Sequence, residues 1–278
     1  AHDMNSGTIS AYASSAYTEH YGRFTYAGAS ATGVLEDSRY FGGVVLENSG
    51  VITATALTRD VAGFFGGLAG ATGVHQYGKY YAGLDNSGEI SAYAGTDLGL
   101  AVADGVIQQS KYGSTTIIEN GDGASIVAVA HSGSAAGDDT GGRAIADGLR
   151  QFSGSFALLY NDGLIAASAS VDANDRDYFD DYAALAIAYG SYQRGQYGAT
   201  LHNSGTISAM AQGDYSAASA YGAWQRGFYY AVGYNEGDIV AVAHADGGQA
   251  LAVGQFIDSP GQAFYQGCGP YGCYYTYY

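Results

Sequence analysis

The feature that most constrains this chain is a nine-residue unit, Asn-x-Gly-x-Ile-x-Ala-x-Ala, that occurs seven times along 278 residues. Its Asn stands at Asn5, Asn48, Asn86, Asn120, Asn161, Asn203 and Asn235. Its Ile stands at Ile9, Ile52, Ile90, Ile126, Ile165, Ile207 and Ile239, each with Ala two and four residues on. Only the fourth copy is longer, with two residues added in Asn120-Gly121-Asp122-Gly123-Ala124-Ser125-Ile126. Tandem units of this kind cannot bury an apolar face alone and must stack on one another, so the chain is read as one repeat array.

A second unit, Ala-x-Ala-x-Gly, follows every copy of the first, from Ala29–Gly33 to Ala250–Gly254. Three residues past its Gly stands Gln76, Gln108, Gln151, Gln193 or Gln225, with Glu36 in the first copy and Ile257 in the last. A third segment places an aliphatic residue two positions before the next Asn, at Leu46, Leu84, Ile118, Leu159 and Leu201, whereas the sixth copy has Gly233. All three segments alternate with period two, which is strand patterning. The distance from Gly to the next Asn is nearly constant and the distance from Ile to Gly is not, so insertions gather at one connection of a basic 32-residue turn. This predicts an all-β fold: a parallel β-solenoid, or β-helix, of about seven turns. Each turn has three short strands, with loop insertions at one corner. At the usual strand spacing seven turns rise roughly 34 Å.

Stacked turns set like residues in ladders. Ile and the two Ala are expected inside, bringing three sheets close together. Asn5, Asn48, Asn86, Asn120, Asn161, Asn203 and Asn235 are expected to hydrogen-bond along the axis at one corner, and Gln76, Gln108, Gln151, Gln193 and Gln225 at another. The expected domains are a solenoid over 1–267 and a Cys/Tyr-rich tail over 268–278.

A formal charge of −16, from 26 acidic against 10 basic residues, argues against nucleic acid and anionic membrane as partners. No run of 18 apolar residues exists to span a bilayer as a helix. The sequence starts Ala1-His2-Asp3 without an initiator Met, from which a mature secreted protein is expected. Cys268 and Cys273, in Cys-Gly-Pro-Tyr-Gly-Cys, are read first as a local disulfide, with an intermolecular bridge or two free thiols as alternatives.

The repeat resembles those of bacterial surface and secreted β-solenoid proteins, namely autotransporter passenger domains and filamentous-haemagglutinin-like adhesins, over residues 5 to about 257. The resemblance implies the solenoid fold and an extracellular or cell-surface location. It leaves open adhesin, enzyme or passive stalk.

Outward positions of the first strand carry no charge (Ser10/Tyr12, Thr53/Thr55, Ser91/Tyr93, Val127/Val129, Ala166/Ser168, Ser208/Met210, Val240/Val242), so that face offers no acid or base, and no enzyme is expected. Among the acids of one inserted loop, Asp172, Asp175 and Asp177 are calcium candidates, with a solvated loop as the other reading; the stretch fits neither an EF-hand nor a β-roll repeat. No other cofactor is expected.

No capping segment is visible at either end, and a solenoid end is an unpaired strand edge. The expected function is therefore a secreted structural protein that assembles end to end into an extracellular filament, a homopolymer. Its interface would be formed by Asn5, Ile9, Ala11 and Tyr12 at one end and Tyr274, Tyr275, Tyr277 and Tyr278 of the tail at the other, the tail lying on a neighbouring subunit. The alternative is an adhesin-type module whose Tyr- and Asp-rich inserted loops, within 14–26 and 170–183, bind carbohydrate or a host surface.

Overall fold

The computed structural model describes residues 1–16, 28–38, 42–59, 67–97, 99–111, 113–133, 142–172, 184–214, 216–246, 248–259, 263–269 and 272–277, the last two segments by their backbone. The described residues form strands and no helix. The first turn consists of β1 (His2–Asn5), β2 (Thr8–Ala16) and β3 (Gly28–Ser38), and the second of β4 (Gly43–Asn48), β5 (Val51–Arg59) and β6 (Gly67–Gly78). The third has β7 (Tyr81–Asn86), β8 (Glu89–Thr96) and β9 (Gly99–Ser110), and the fourth β10 (Thr115–Asn120), β11 (Ser125–Ser132) and β12 (Arg143–Ser153). The fifth has β13 (Phe156–Asn161), β14 (Leu164–Val171) and β15 (Leu185–Gly195), and the sixth β16 (Gly198–Asn203), β17 (Thr206–Asp214) and β18 (Ala217–Gly227). The seventh has β19 (Tyr230–Asn235), β20 (Asp238–Asp246) and β21 (Ala250–Asp258), and the chain continues into β22 (Ala263–Gly269) and β23 (Gly272–Tyr277).

Like strands of successive turns pair in parallel and in register. Sheet A runs from β1 through β4 to β22, sheet B from β2 to β20, and sheet C from β3 to β21. The protein is a parallel β-solenoid of seven three-stranded turns. The long connections fall between sheets B and C.

The inward rows divide into two cores rather than one. Ala54/Ala56 of sheet B and Ala69/Ala71 of sheet C, with their equivalents on every turn, form one cluster made almost wholly of alanine. Ile52, Leu46 and Val74, with their equivalents from sheets B, A and C, form the other. The alanines thus lie between two sheets, not three, in a flat arm filled almost wholly by methyl groups from facing strands. The Ile and Leu rows fill the wider part that sheet A closes.

The recurring Gly of sheet C marks the junction of these two parts. On either side of Gly105 the inward rows slip phase, since Ala103 and Val106 both point inside. A Cβ on Gly105 would come within 2.4 Å of the Gly148 carbonyl oxygen and 2.7 Å of Ile126 Cγ2. No other residue allows the strand to bend there over the Ile row.

The two ends differ. At the first, β1, β2 and β3 are all edge strands, and Ile9, Ala11, Ala13 and Val34 are only partly buried. At the other, β20 and β21 are edges, but β22 adds to sheet A and β23 folds back on it antiparallel. The expectation of no cap is corrected for sheet A at this end: the tail pairs with its own chain's β19 and extends sheet A to β23, because a strand edge beside it supplies the hydrogen bonds its backbone needs. The hairpin begins at Ala263, so it straddles the expected boundary at 267/268.

Candidate functional site

The Asn unit builds a buried wire of amides at the corner between sheets A and B. Nδ2 of each Asn donates to Oδ1 of the next: Asn5 to Asn48 at 2.8 Å, Asn48 to Asn86 at 2.7 Å, Asn86 to Asn120 at 2.8 Å and Asn120 to Asn161 at 2.8 Å. Asn161 then donates to Asn203 at 2.6 Å and Asn203 to Asn235 at 2.7 Å. In Asn5, Asn48 and Asn86, Oδ1 also accepts from the backbone N–H two residues on, as Asn48 does from Gly50 at 3.3 Å. Each interior amide thus has both its Nδ2 and its Oδ1 partnered, which lets it be buried.

The Gln ladder at the corner between sheets C and A runs the other way. Gln108 Nε2 donates back to Gln76 Oε1 at 3.0 Å, Gln151 to Gln108 at 3.1 Å and Gln193 to Gln151 at 2.9 Å. The second N–H crosses the corner to a sheet A carbonyl, as from Gln151 to Leu158 at 2.9 Å. The ladder breaks after Gln193, whose Oε1 has no partner, while Gln225 bonds Val232 O and accepts from Gln255 at 3.2 Å. Gln255 occupies the space over Gly233, where a Cβ would lie 2.2 Å from its Nε2. The missing aliphatic residue of the sixth copy is thereby explained.

At the first end the ladder starts with Glu36, which accepts from Gln76 Nε2 at 2.6 Å. Glu36 is buried, and burial raises its pKa, with neighbouring Asp3 pushing the same way and Gln76 opposing. Its Oε1 has no hydrogen-bond partner. Asn5 is buried beside this end, Ile9 and Ala11 half-cover the core, and Tyr12 is 68% exposed. At the other end, the register sets Gly267 of β22 against Asn235.

The bend in sheet C makes a concave strip on the outer wall, formed by the residue before each bend Gly and the residue two after it. Asp104 and Asp147 occupy adjacent rungs before the Gly and are buried, although their positions point out of the core. Arg150 Nη2 donates to Asp104 Oδ2 at 2.9 Å, and its Nε lies 3.2 Å from Asp147 Oδ2. Burial and the Asp104 carboxylate push the Asp147 pKa up to about 8, against the pull of Arg150; Asp104 is also raised, by burial. Near pH 7 Asp147 therefore favours its protonated form beside the Arg150 guanidinium.

Toward the C-terminal end the same strip becomes aromatic. Tyr189 stacks on Tyr221 at 4.8 Å, and Tyr192, Trp224 and Phe256 pack around them at 4.9 to 5.9 Å. On sheet A, His202 lies stacked between Tyr160 and Tyr234. Toward the first end the outer wall of sheet C holds an open pocket of about 290 Å³ lined by Leu35, Asp37, His75, Tyr77, Gln109 and Lys111.

The acid pair lies on the second strand of its turns, not on the first strand's uncharged outward row, so that row gives no sign of it. The signal was present as Ala-x-Ala-Asp-Gly in the third and fourth copies alone, with Arg150 three residues past the second Asp. Of the calcium candidates, Asp172 lies 3.8 Å from His131 Nε2, while Asp175 and Asp177 lie outside the described residues, as does most of each inserted loop. Among the described residues no group of three metal-ligating side chains forms. Cys268 and Cys273 stand directly opposite in the β22–β23 ladder, a backbone arrangement compatible with a local bridge. Tyr274, Tyr275 and Tyr277 lie in β23, remote from Asn5, and Tyr278 is outside the described residues.

Comparison with protein-family models, with curated proteins and with solved structures gives no match.

Proposed function

We propose that this chain is an extracellular structural subunit that stacks end to end into a fibre, in the manner of bacterial surface solenoids. The observation that carries this reading is the direction of the Asn wire. Asn5 offers an acceptor at one end, and at the other Asn235 offers a donor toward Gly267, which has no side chain to receive it. A straight joint needs an incoming β1 on β19, where β22 now lies. The hairpin is therefore a placeholder: an arriving β1 displaces it, sets Asn5 Oδ1 on Asn235 Nδ2, and covers the half-exposed ends of both cores. Self-stacking of this head-to-tail kind does not close and yields an open polymer. Neither a nucleic acid nor a membrane fits the acidic charge.

Electron microscopy and sedimentation of the 278-residue chain and of a variant ending at Asp258 test this. Removing the placeholder is expected to lengthen fibres and lower the concentration at which they form. Monodisperse particles from both proteins at every concentration would sink the reading.

A second reading, a carbohydrate-binding module, is favoured by the aromatic strip of Tyr189, Tyr192, Tyr221, Trp224 and Phe256, which offers apolar ring surface next to a polar triad. It would place binding on the sheet C wall rather than on the inserted loops. Retardation in glycan-containing gels that Trp224→Ala abolishes is its expected sign; equal mobility of the two proteins in every glycan removes it.

A further inference from the structure

The turns that lead from sheet C into sheet A bring two tyrosines face to face at the surface. Tyr197, between β15 and β16, and Tyr229, between β18 and β19, occupy successive turns, and the Tyr229 N–H donates to the Tyr197 carbonyl at 3.0 Å. Their rings are stacked, with centroids 5.5 Å apart and planes 10° apart, and they are 45% and 56% exposed. Among the described residues no other exposed pair of tyrosines is stacked in this way.

We propose that Tyr197 and Tyr229 are an oxidative cross-linking site, joined as dityrosine by a one-electron oxidant of the heme-peroxidase class that consumes hydrogen peroxide. Each phenol gives up one electron and its hydroxyl proton to become a phenoxyl radical, and the two electrons and two protons reduce one peroxide to two waters. The unpaired spin of a phenoxyl lies in π orbitals, in part on the Cε carbons flanking the carbon that bears the oxygen, so two stacked radicals overlap through the lobes that form the bond. One Cε–Cε bond forms, each of those carbons releases its hydrogen as a proton, and each oxygen takes one back. The protein ends two hydrogen atoms lighter, with two consecutive turns stapled at their outer corner. This proposal stands on the pair's geometry and does not depend on fibre formation.

Tyr189 and Tyr221 supply an internal control. They stack as closely, at 4.8 Å and 10°, but are half-buried, with Tyr192 and Trp224 packed on them. Burial, with Tyr221 beside it, also pushes the Tyr189 phenol up to about 12, so it releases its proton less readily.

The test treats the folded chain with a heme peroxidase and hydrogen peroxide, then cleaves it after Arg226, which leaves Tyr197 and Tyr229 on separate peptides. The expected product is dityrosine fluorescence and one linked pair joining those peptides through Tyr197 and Tyr229, in a yield independent of protein concentration. Tyr197→Phe and Tyr229→Phe should each lose that pair while Tyr221→Phe keeps it. Links scattered over Tyr12, Tyr80 and Tyr93, or a yield that rises with concentration, or a link surviving Tyr197→Phe, would overturn the proposal. Peptide mapping of the wild-type chain decides the question even if a variant misfolds.

Discussion

The Asn and Gln ladders use the same amide group on the same rungs, yet one is continuous and the other is broken. The Asn wire joins seven residues without a gap, because a short side chain set by an Asn-x-Gly turn has almost no freedom to miss its neighbour. Gln has one more torsion, so a change in the opposing strand, whose carbonyl its second N–H reaches, redirects it. At Gly233 the space left by the missing aliphatic residue admits Gln255, and the wire parts between Gln193 and Gln225. A third pair of stacked polar groups, Asp104 and Asp147, shows why amides fill the other two rows. An amide carries both donor and acceptor, while a carboxylate can only accept, so stacked acids need an added proton to bond each other.

The largest effect is expected from cutting the continuous ladder at its centre. Asn120→Ala strands a donor on Asn86 and an acceptor on Asn161 inside the protein, and should lower stability by about 3 kcal/mol in urea denaturation. If the loss is as small as that from Gln225→Ala, the contrast between the ladders fails.

Next is the acid pair. Asp147→Asn keeps a donor toward Asp104 and removes the need for a proton, and should raise stability at pH 8 by on the order of 2 kcal/mol. The folded chain holds on Asp147 a proton that the unfolded chain has lost, so wild-type stability should fall as pH rises from about 4 to about 8 and level off above, through this group. A thermal-melt series across that range should show the slope in the wild type and a flatter line in Asp147→Asn.

Gln225→Ala, beyond the break, should lower stability by only about 1 kcal/mol, since it removes no link to Gln193. The smallest change is expected at the terminal rung. Glu36→Gln replaces an acceptor-only group by an amide and should remove the part of the stability loss that accompanies the rise of pH through the Glu36 titration, whose folded pKa is raised. An unchanged melt series would place Glu36 outside the ladder's energetics.

Much of this structure is legible in the residues. Period-two alternation and the recurring order of the three segments identify three strands per turn, the corner that takes insertions, and the inward rows, because side-chain direction along a strand is a local property. The Asn and Gln rows follow once turns stack in register. The candidate site was less legible. Asp104 and Asp147 alternate as outward residues and would be expected in solvent, but the bend at Gly105 and Gly148 turns those positions into a concavity.

The sequence by itself determined the solenoid, its seven turns, the Asn ladder and the Gln ladder as far as Gln193, since each depends on spacing along the chain. Only the tertiary structure decided that the alanines face two sheets, that Gln255 fills the gap over Gly233, that two outward acids lie buried around Arg150, and that the tail extends sheet A. These depend on strand curvature and on which surfaces meet across turns, and residue order alone does not specify either.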